Sequence, residues 1–142
     1  MNFFYVIVSF ISLLIKNKQT TTTKWRAPEE YQRIELTEQI DVWSLGGSMY
    51  VLLTGLKPHH EIMDRSKVLY KKTARGGTPY LDPRYAERSY GDKKLLDIIP
   101  LCWVYDPKKR ITVFELVKIL QQAVRENDEY VNNPFLANNN FS

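Results

Sequence analysis

An apolar stretch from Ile40 to Leu56 constrains this chain more than any other feature. No charged residue occurs between Asp41 and Lys57, and the apolar residues do not keep to one side of a helix. A helix that is apolar around its whole circumference has to be enclosed by other elements. The stretch is short and contains Ser, Thr and Gly, which disfavours a membrane span. We therefore predict a central buried helix over Ile40–Thr54, stopped by Gly55 in the left-handed conformation.

The segments around this stretch are also predicted to be helical, so the expected fold class is mainly α. The signals are capping residues, glycine stops and apolar periodicity. They predict a short helix over Glu29–Gln32 and a helix capped by Asp64 or Ser66 that runs to Thr73. A third helix is predicted to begin at Asp92 and to kink or end early at Pro100. A fourth is predicted to run from the Thr112–Glu115 capping box to about Arg125.

The last predicted helix carries apolar residues at helical spacing. We expect one face of it to be buried, made of Val113, Leu116, Val117, Leu120 and Val124. The Asn-rich residues 127–142 are expected to form a flexible tail.

Composition narrows the class of protein. A length of 142 residues with 44% hydrophobic residues favours one compact domain. The net charge of +4 is mild, and the charges are dispersed along the chain, which argues against nucleic-acid binding. The single cysteine, Cys102, lies in an apolar run and is predicted to be a buried hydrophobe. His59 and His60 have no further ligand at metal-binding spacing, so a metal site is not expected.

Three motifs give the chain a family resemblance. They are Lys-Trp-Arg-Ala-Pro-Glu at residues 24–29, Asp-Val-Trp-Ser-Leu-Gly at residues 41–46, and the turn Cys-Trp-Val-Tyr-Asp-Pro-Lys-Lys-Arg at residues 102–110. In this order and spacing they resemble the C-lobe of eukaryotic protein kinases, over about Thr20 to Arg125. The Lys-Trp and Cys-Trp pairs are similar to the tyrosine-kinase and tyrosine-kinase-like groups. The resemblance implies a helical C-lobe without the N-lobe and the catalytic loop.

The resemblance also implies roles for single residues. Thr22 and Trp25 would belong to the substrate-side loop, although Thr22 reads equally well as a solvated loop threonine. Glu29 would form a buried ion pair with Arg110. Asp41 would accept hydrogen bonds from the catalytic-loop backbone. Because that loop is missing from the sequence, Asp41 must bind other donors or water, or be a costly buried charge.

The other residues of the three motifs are expected to pack rather than to react. They are Ala27, Pro28, Trp43, Gly46 and Trp103. The elements that would cover the central helix in a complete kinase domain are missing here. We therefore expect an exposed apolar surface at Trp43, Leu45 and Met49.

The chemistry of phosphate transfer is not encoded in these residues. A kinase needs a glycine-rich loop over ATP, a lysine on its phosphates and aspartates for Mg²⁺ and for the acceptor hydroxyl. Residues 1–28 contain no Asp, Glu, Gly or His, and the six glycines of the chain form no Gly-x-Gly-x-x-Gly. We therefore expect no ATP, Mg²⁺ or catalytic residue in this chain. ATP and Mg²⁺ would belong to the complete domain.

The hydrophobic run Phe3–Ile15 allows three interpretations. As a helix it would span about 20 Å, short of the ~30 Å hydrocarbon core. It could be a weak membrane anchor, a core helix or strand, or foreign sequence from a misplaced gene boundary, and we favour the last for residues 1–18. The expected location is cytoplasmic, with membrane anchoring through this run as the alternative.

Two functions follow from these observations. The first is a partial protein kinase domain over residues 19–126, in a family that phosphorylates protein Ser, Thr or Tyr with ATP. The second is a non-catalytic module that binds a protein partner. A membrane-tethered helical protein unrelated to phosphorylation would require three accidental motif matches. For both the partial kinase domain and the non-catalytic module, the expected partner is a protein.

Overall fold

The computed structural model describes residues 24–32 and 34–132, which form four α-helices and two short 3₁₀ turns. The helices are α1 (Gln39–Thr54), α2 (Arg65–Arg75), α3 (Tyr90–Cys102) and α4 (Val113–Asn132), and the 3₁₀ turns span Pro28–Tyr31 and Pro83–Glu87. No β-strand occurs in these two ranges. The predicted mainly α fold class is confirmed. Thr22, the run Phe3–Ile15 and the residues after Asn132 lie outside the described residues.

Helix α1 is the centre of the core, as the apolar stretch predicts. Its buried side chains include Val42, Tyr50 and Leu53, each at most 2% exposed. They form one cluster with apolar residues of α3 and α4. Each fully buried aliphatic or aromatic side chain contributes about 1.5–3 kcal/mol relative to exposure. The predicted stop is confirmed, because Gly55 has φ of 73° and its N–H donates to the Val51 carbonyl at 2.8 Å.

The predicted exposure of Trp43, Leu45 and Met49 is wrong. Trp43 is 2% exposed, Met49 is 1% exposed, and Leu45 is half-buried. Later parts of the same chain cover this surface. The Trp103 ring lies 6.4 Å from the Trp43 ring, and the Arg110 guanidinium lies 5.0 Å above it. The central helix is therefore enclosed by its own chain.

Helix α2 begins and ends where its sequence signals indicate. Asp64 Oδ1 accepts a hydrogen bond from the Ser66 N–H at 2.9 Å, which caps the helix. Gly76 ends the helix with φ of 58°, and its N–H donates to the Lys72 carbonyl at 3.2 Å. The helix ends two residues beyond the predicted Thr73.

Helix α3 begins earlier than predicted. Ser89, not Asp92, is the capping residue, because its Oγ accepts a hydrogen bond from the Asp92 N–H at 3.0 Å. Pro100 lies inside the helix, which ends two residues later at Cys102, so the helix does not stop at the proline as expected. Leu95, Ile98, Ile99 and Cys102 are buried against α1.

Helix α4 is longer than predicted and buries a narrower face. The capping box is confirmed, since the Thr112 N–H donates to Glu115 Oε2 at 2.9 Å and the Glu115 N–H donates to Thr112 Oγ1 at 3.3 Å. The helix continues past Arg125 to Asn132, so the expected tail begins as helix. Among the α4 side chains whose burial is described, Leu116, Leu120 and Ala123 are buried, whereas Val113 and Val117 are 39% and 42% exposed.

The narrow buried face of α4 follows from its packing on a single side. Its main neighbour is α3, and a helix packed against one neighbour buries a stripe rather than a wide face. Over the described ranges, no helix combines the length and the hydropathy needed to cross a bilayer.

Candidate functional site

Glu29 and Arg110 form a buried ion pair that joins the start of the described chain to the turn before α4. Arg110 Nη1 donates to Glu29 Oε1 at 2.6 Å, and Nη2 donates to Oε2 at 3.0 Å. The two side chains are 1% or less exposed. Such a parallel pair of N–H···O bonds is the strong, geometrically specific form of the arginine–carboxylate contact.

The rest of the guanidinium is bonded to backbone. Nε donates to the Val104 carbonyl at 2.9 Å, Nη1 to the Gln39 carbonyl at 2.7 Å and Nη2 to the Tyr105 carbonyl at 3.3 Å. An arginine has five N–H donors, and each of the five has an acceptor here. Arg110 therefore connects the Pro28–Tyr31 turn, the start of α1 and the turn after α3.

Short backbone turns on both sides of the ion pair position Glu29 and Arg110. Pro28 stands at the first position of the 3₁₀ turn, where its missing N–H costs nothing, and the preceding Ala27 is fully buried and extended. On the other side, the Asp106 carbonyl accepts hydrogen bonds from the N–H groups of Lys109 and Arg110 at 3.0 and 3.1 Å. This turn directs the Arg110 side chain inward.

A close contact between α1 and the end of α3 surrounds this pair. A side chain on Gly46 would place its Cβ 2.8 Å from Cys102 Cβ and 2.8 Å from Trp103 Nε1, so only glycine fits. Trp103 Nε1 donates to the Trp43 carbonyl at 3.3 Å. Cys102 is a free, fully buried thiol, and burial raises its pKa to about 12. The predicted role of Cys102 as a buried hydrophobe is confirmed.

The second feature is the loop that precedes the Ala27-Pro28-Glu29 motif, residues 24–26, which we call the substrate-side loop. Its three successive carbonyls accept hydrogen bonds from side chains of α1 and α2. Lys72 Nζ donates to the Lys24 carbonyl at 2.5 Å and to the Arg26 carbonyl at 2.9 Å. Ser44 Oγ donates to the Trp25 carbonyl at 3.5 Å. The loop is therefore held between two helices.

Side chains of the loop add two further contacts. Lys24 Nζ donates to the His59 carbonyl at 3.0 Å. The Trp25 ring lies against α1 at Gly47, where an added Cβ would be 2.9 Å from Trp25 Cε3. The half-buried Trp25 is thus fixed on the surface of the central helix by the absence of a side chain at Gly47.

Two basic side chains are buried beside this loop. Lys72 is 1% exposed, and burial lowers its pKa to about 7, while the nearby Glu30 carboxylate acts in the opposite direction. His59 is fully buried, with φ of 52°. Burial, together with the neighbouring lysine charges, lowers its pKa to about 4, so the ring is neutral at pH 7. Among the described residues neither ring nitrogen of His59 has a hydrogen-bond partner.

The candidate residues named from the sequence do not all meet in one place. Glu29, Arg110, Trp43, Gly46 and Trp103 meet in one buried contact around the start of α1. Asp41 does not join them, because it is exposed in the first turn of α1, where water and the helix dipole accommodate its charge.

Sequence reasoning missed Lys72, Ser44, Gly47 and the burial of His59. One signal could have revealed Lys72. It lies one helical turn after the fully buried Val68, on the inward face of α2. A lysine at a core-facing helical position is unusual unless its ammonium has partners.

Comparison with known protein families shows which family the chain belongs to. The protein kinase domain model matches residues 9–122, which is more than half of the chain. The chain belongs to the protein kinase domain family. The match begins inside the hydrophobic run that we had placed outside the domain, and it includes all three motifs.

Individual relatives are more distant. The chain is 28% identical over 121 residues to the tyrosine-protein kinase transforming protein fms of feline sarcoma virus (strain McDonough), covering 84% of this chain and 12% of that protein. It is 27% identical over 119 residues to the mast/stem cell growth factor receptor Kit of Canis lupus familiaris, covering 83% and 11%. It is 26% identical over 106 residues to the tyrosine-protein kinase receptor old-1 of Caenorhabditis elegans, covering 71% and 20%.

These relatives confirm the resemblance to tyrosine kinases. The chain spans between 11% and 20% of the length of the three relatives. It therefore corresponds to a small part of each of them.

The family implies ATP and Mg²⁺ for a complete domain, and the residues described around the substrate-side loop do not fit either group. The polar side chains around the substrate-side loop are mainly basic and already bonded to carbonyls. Within residues 24–32 and 34–132, no three His, Cys, Asp or Glu side chains are grouped so as to hold a metal ion.

Proposed function

We propose that this chain is the substrate-side scaffold of a protein kinase domain and does not transfer phosphate by itself. The observation that carries the proposal is the Glu29–Arg110 pair, which fixes the turn directly after the substrate-side loop to the helical core. In the complete family domain this loop faces the protein substrate. Binding of ATP and Mg²⁺ requires motifs that this sequence does not contain.

Thr22 and Trp25 are the proposed substrate-side residues. Trp25 is half-buried on α1, and its backbone carbonyl is bonded to Ser44. Ala27, Pro28, Glu29 and Arg110 are proposed to hold the loop rather than to contact substrate. The remaining motif residues are proposed to belong to the same scaffold. Trp43, Gly46 and Trp103 pack in its core, and Asp41 is solvated at the start of α1.

The family match from residue 9 supports placing part of residues 1–18 with the kinase domain. Of the three interpretations of Phe3–Ile15, this favours a core segment over a membrane anchor or foreign sequence. We propose that the domain extends from about residue 9 through α4 and lies in the cytoplasm.

Nucleotide binding tests the main proposal. A ligand at one hundred times its dissociation constant stabilises the native state by about 2.7 kcal/mol. We expect no change in melting temperature with millimolar Mg²⁺-ATP, compared with Mg²⁺ alone, and no phosphate transfer to a generic protein or peptide. A reproducible ATP-dependent shift that disappears in Asp41→Ala would refute the proposal, because Asp41 would then belong to a nucleotide site.

A second candidate function is a non-catalytic module that binds a protein partner. The observation in its favour is the exposure of three large apolar side chains, Met63 at 89%, Phe114 at 79% and Tyr80 at 73%. The surface expected at Trp43 and Met49 does not support it, because that surface is buried. Binding of a protein partner without any nucleotide response, lost on polar substitution of these three residues, would favour the module.

A further inference from the structure

Lys72 is the buried charged residue whose contacts the family motifs do not explain. It lies on α2 and reaches a loop 46 to 48 residues earlier in the chain. Its side chain is 1% exposed. Lysine is almost never fully buried unless its ammonium is bonded. Here Nζ donates to two backbone carbonyls that flank Trp25.

The position of these two acceptors matters for the loop. The carbonyls of Lys24 and Arg26 face Lys72 on α2, whereas the carbonyl between them accepts from Ser44 on α1. The backbone on both sides of Trp25 is thus tied to α2. The Trp25 ring is confined on its other side by Gly47.

We propose that Lys72 is a positioning residue that fixes the substrate-side loop, and with it the Trp25 ring, against α1. Its hydrogen bonds set the place of Trp25 relative to an incoming protein substrate. The involvement of substrate rests on the proposed function, whereas the hold on the loop does not.

A packing role alone would not require N–H donors at the end of the side chain. A methionine has nearly the same length and would fill the same space without a charge to desolvate. What methionine lacks is the ability to donate to the two carbonyls. The comparison of Lys72→Met with wild type therefore isolates the hydrogen bonds from the packing.

The chain offers a matched control on the same helix. Lys71 is adjacent, half-exposed, and its Nζ lies 3.5 Å from Glu61 Oε1 in a surface ion pair. Lys71→Met removes the same charge and makes the same change in side-chain chemistry. It leaves both loop carbonyls bonded.

Fluorine NMR of the full chain labelled with 5-fluorotryptophan provides the readout. The sequence has three tryptophans, and Trp25→Phe assigns the Trp25 signal by its disappearance. In Lys72→Met we expect the Trp25 signal to shift and broaden, while those of Trp43 and Trp103 keep their positions. Trypsin cleavage after Lys24 and Arg26, followed by mass spectrometry, should accelerate about tenfold or more, because two net hydrogen bonds no longer oppose loop opening.

Every other outcome overturns the proposal. An unchanged Trp25 signal and cleavage rate in Lys72→Met would show that the loop does not depend on Lys72. A change in all three signals, or global unfolding, would make Lys72 a structural core residue. An equal effect of Lys71→Met would show that the loop responds to the loss of a positive charge on α2 and not to the hydrogen bonds of Lys72. None of these measurements uses nucleotide, so a positive Mg²⁺-ATP response would refute the proposed function and leave the result for Lys72 intact.

Discussion

Replacing Arg110 by methionine should be among the most destabilising substitutions in the protein. The change removes five hydrogen bonds and leaves the buried Glu29 carboxylate without its guanidinium. It also leaves three backbone carbonyls to find other donors. Breaking a buried ion pair by removing one partner costs about 3–5 kcal/mol, and each unsatisfied carbonyl adds to that. We expect a loss of at least about 5 kcal/mol.

Glu29→Met should cost less, about 3 kcal/mol, because Arg110 keeps its three carbonyl acceptors. The decisive variant is the double substitution. Replacing both partners by apolar side chains removes the unpaired charge, which is often neutral or favourable relative to the broken pair. The double variant should therefore be more stable than Arg110→Met alone.

Equilibrium unfolding in urea measures these differences, provided that the m value stays constant across the four proteins. The Asp82–Arg84 pair is the control, because its atoms are 2.5 Å apart while the Arg84 side chain is 83% exposed. Arg84→Met should leave the free energy of unfolding close to that of the wild type, because surface ion pairs contribute little. Additive losses at Glu29 and Arg110, or a double variant less stable than both single variants, would refute the reasoning.

Three further predictions concern the loop, a helix cap and the N-terminus. Between pH 7 and pH 10.5 Lys72 is neutral in the folded state, whereas in the unfolded chain it binds a proton. The free energy of unfolding of the wild type in urea should therefore rise with pH relative to that of Lys72→Met, by about 4 kcal/mol in total. Parallel pH profiles of the two proteins would contradict this. Ser89→Ala removes the α3 cap and should cost about 1 kcal/mol in thermal unfolding, with Ser89→Asp close to wild type; an unchanged melting temperature would argue against the cap. Deletion of residues 1–18 should lower the urea midpoint without changing how the protein partitions between membrane and soluble fractions, whereas membrane recovery of the full chain alone would make Phe3–Ile15 an anchor.

Local signals in the sequence predicted much of the fold. The stop at Gly55, the cap at Asp64 and the capping box at Thr112 depend on groups within a few residues of one another, and all three are present. The start of α3 was misplaced because Ser89 and Asp92 are both good capping residues. The sequence alone does not decide between them.

Long-range packing accounts for the remaining differences. The cover over Trp43 comes from Trp103 and Arg110, which are about 60 residues or more away in sequence. Charge and propensity gave no reason to bury Lys72, since a lysine on a basic helix is ordinarily solvated, and its helical spacing from Val68 indicates a direction but no partner. Its burial results from the approach of two segments whose relative placement the sequence pattern does not encode.

The enclosure of α1 has a consequence for the order in which the chain is synthesised. Much of the cover over α1 lies C-terminal to it, since Trp103 and Arg110 cover Trp43 and the α4 residues Leu116 and Leu120 complete the same cluster. At roughly 5–20 residues per second, the ribosome needs several seconds to pass from Thr54 to Leu120. For that time the Trp43 side of α1 lacks its cover, although Trp25 and Ala27 have already been synthesised. A chain halted before Trp103 would keep that surface open, which makes it a substrate for chaperones and a nucleus for aggregation.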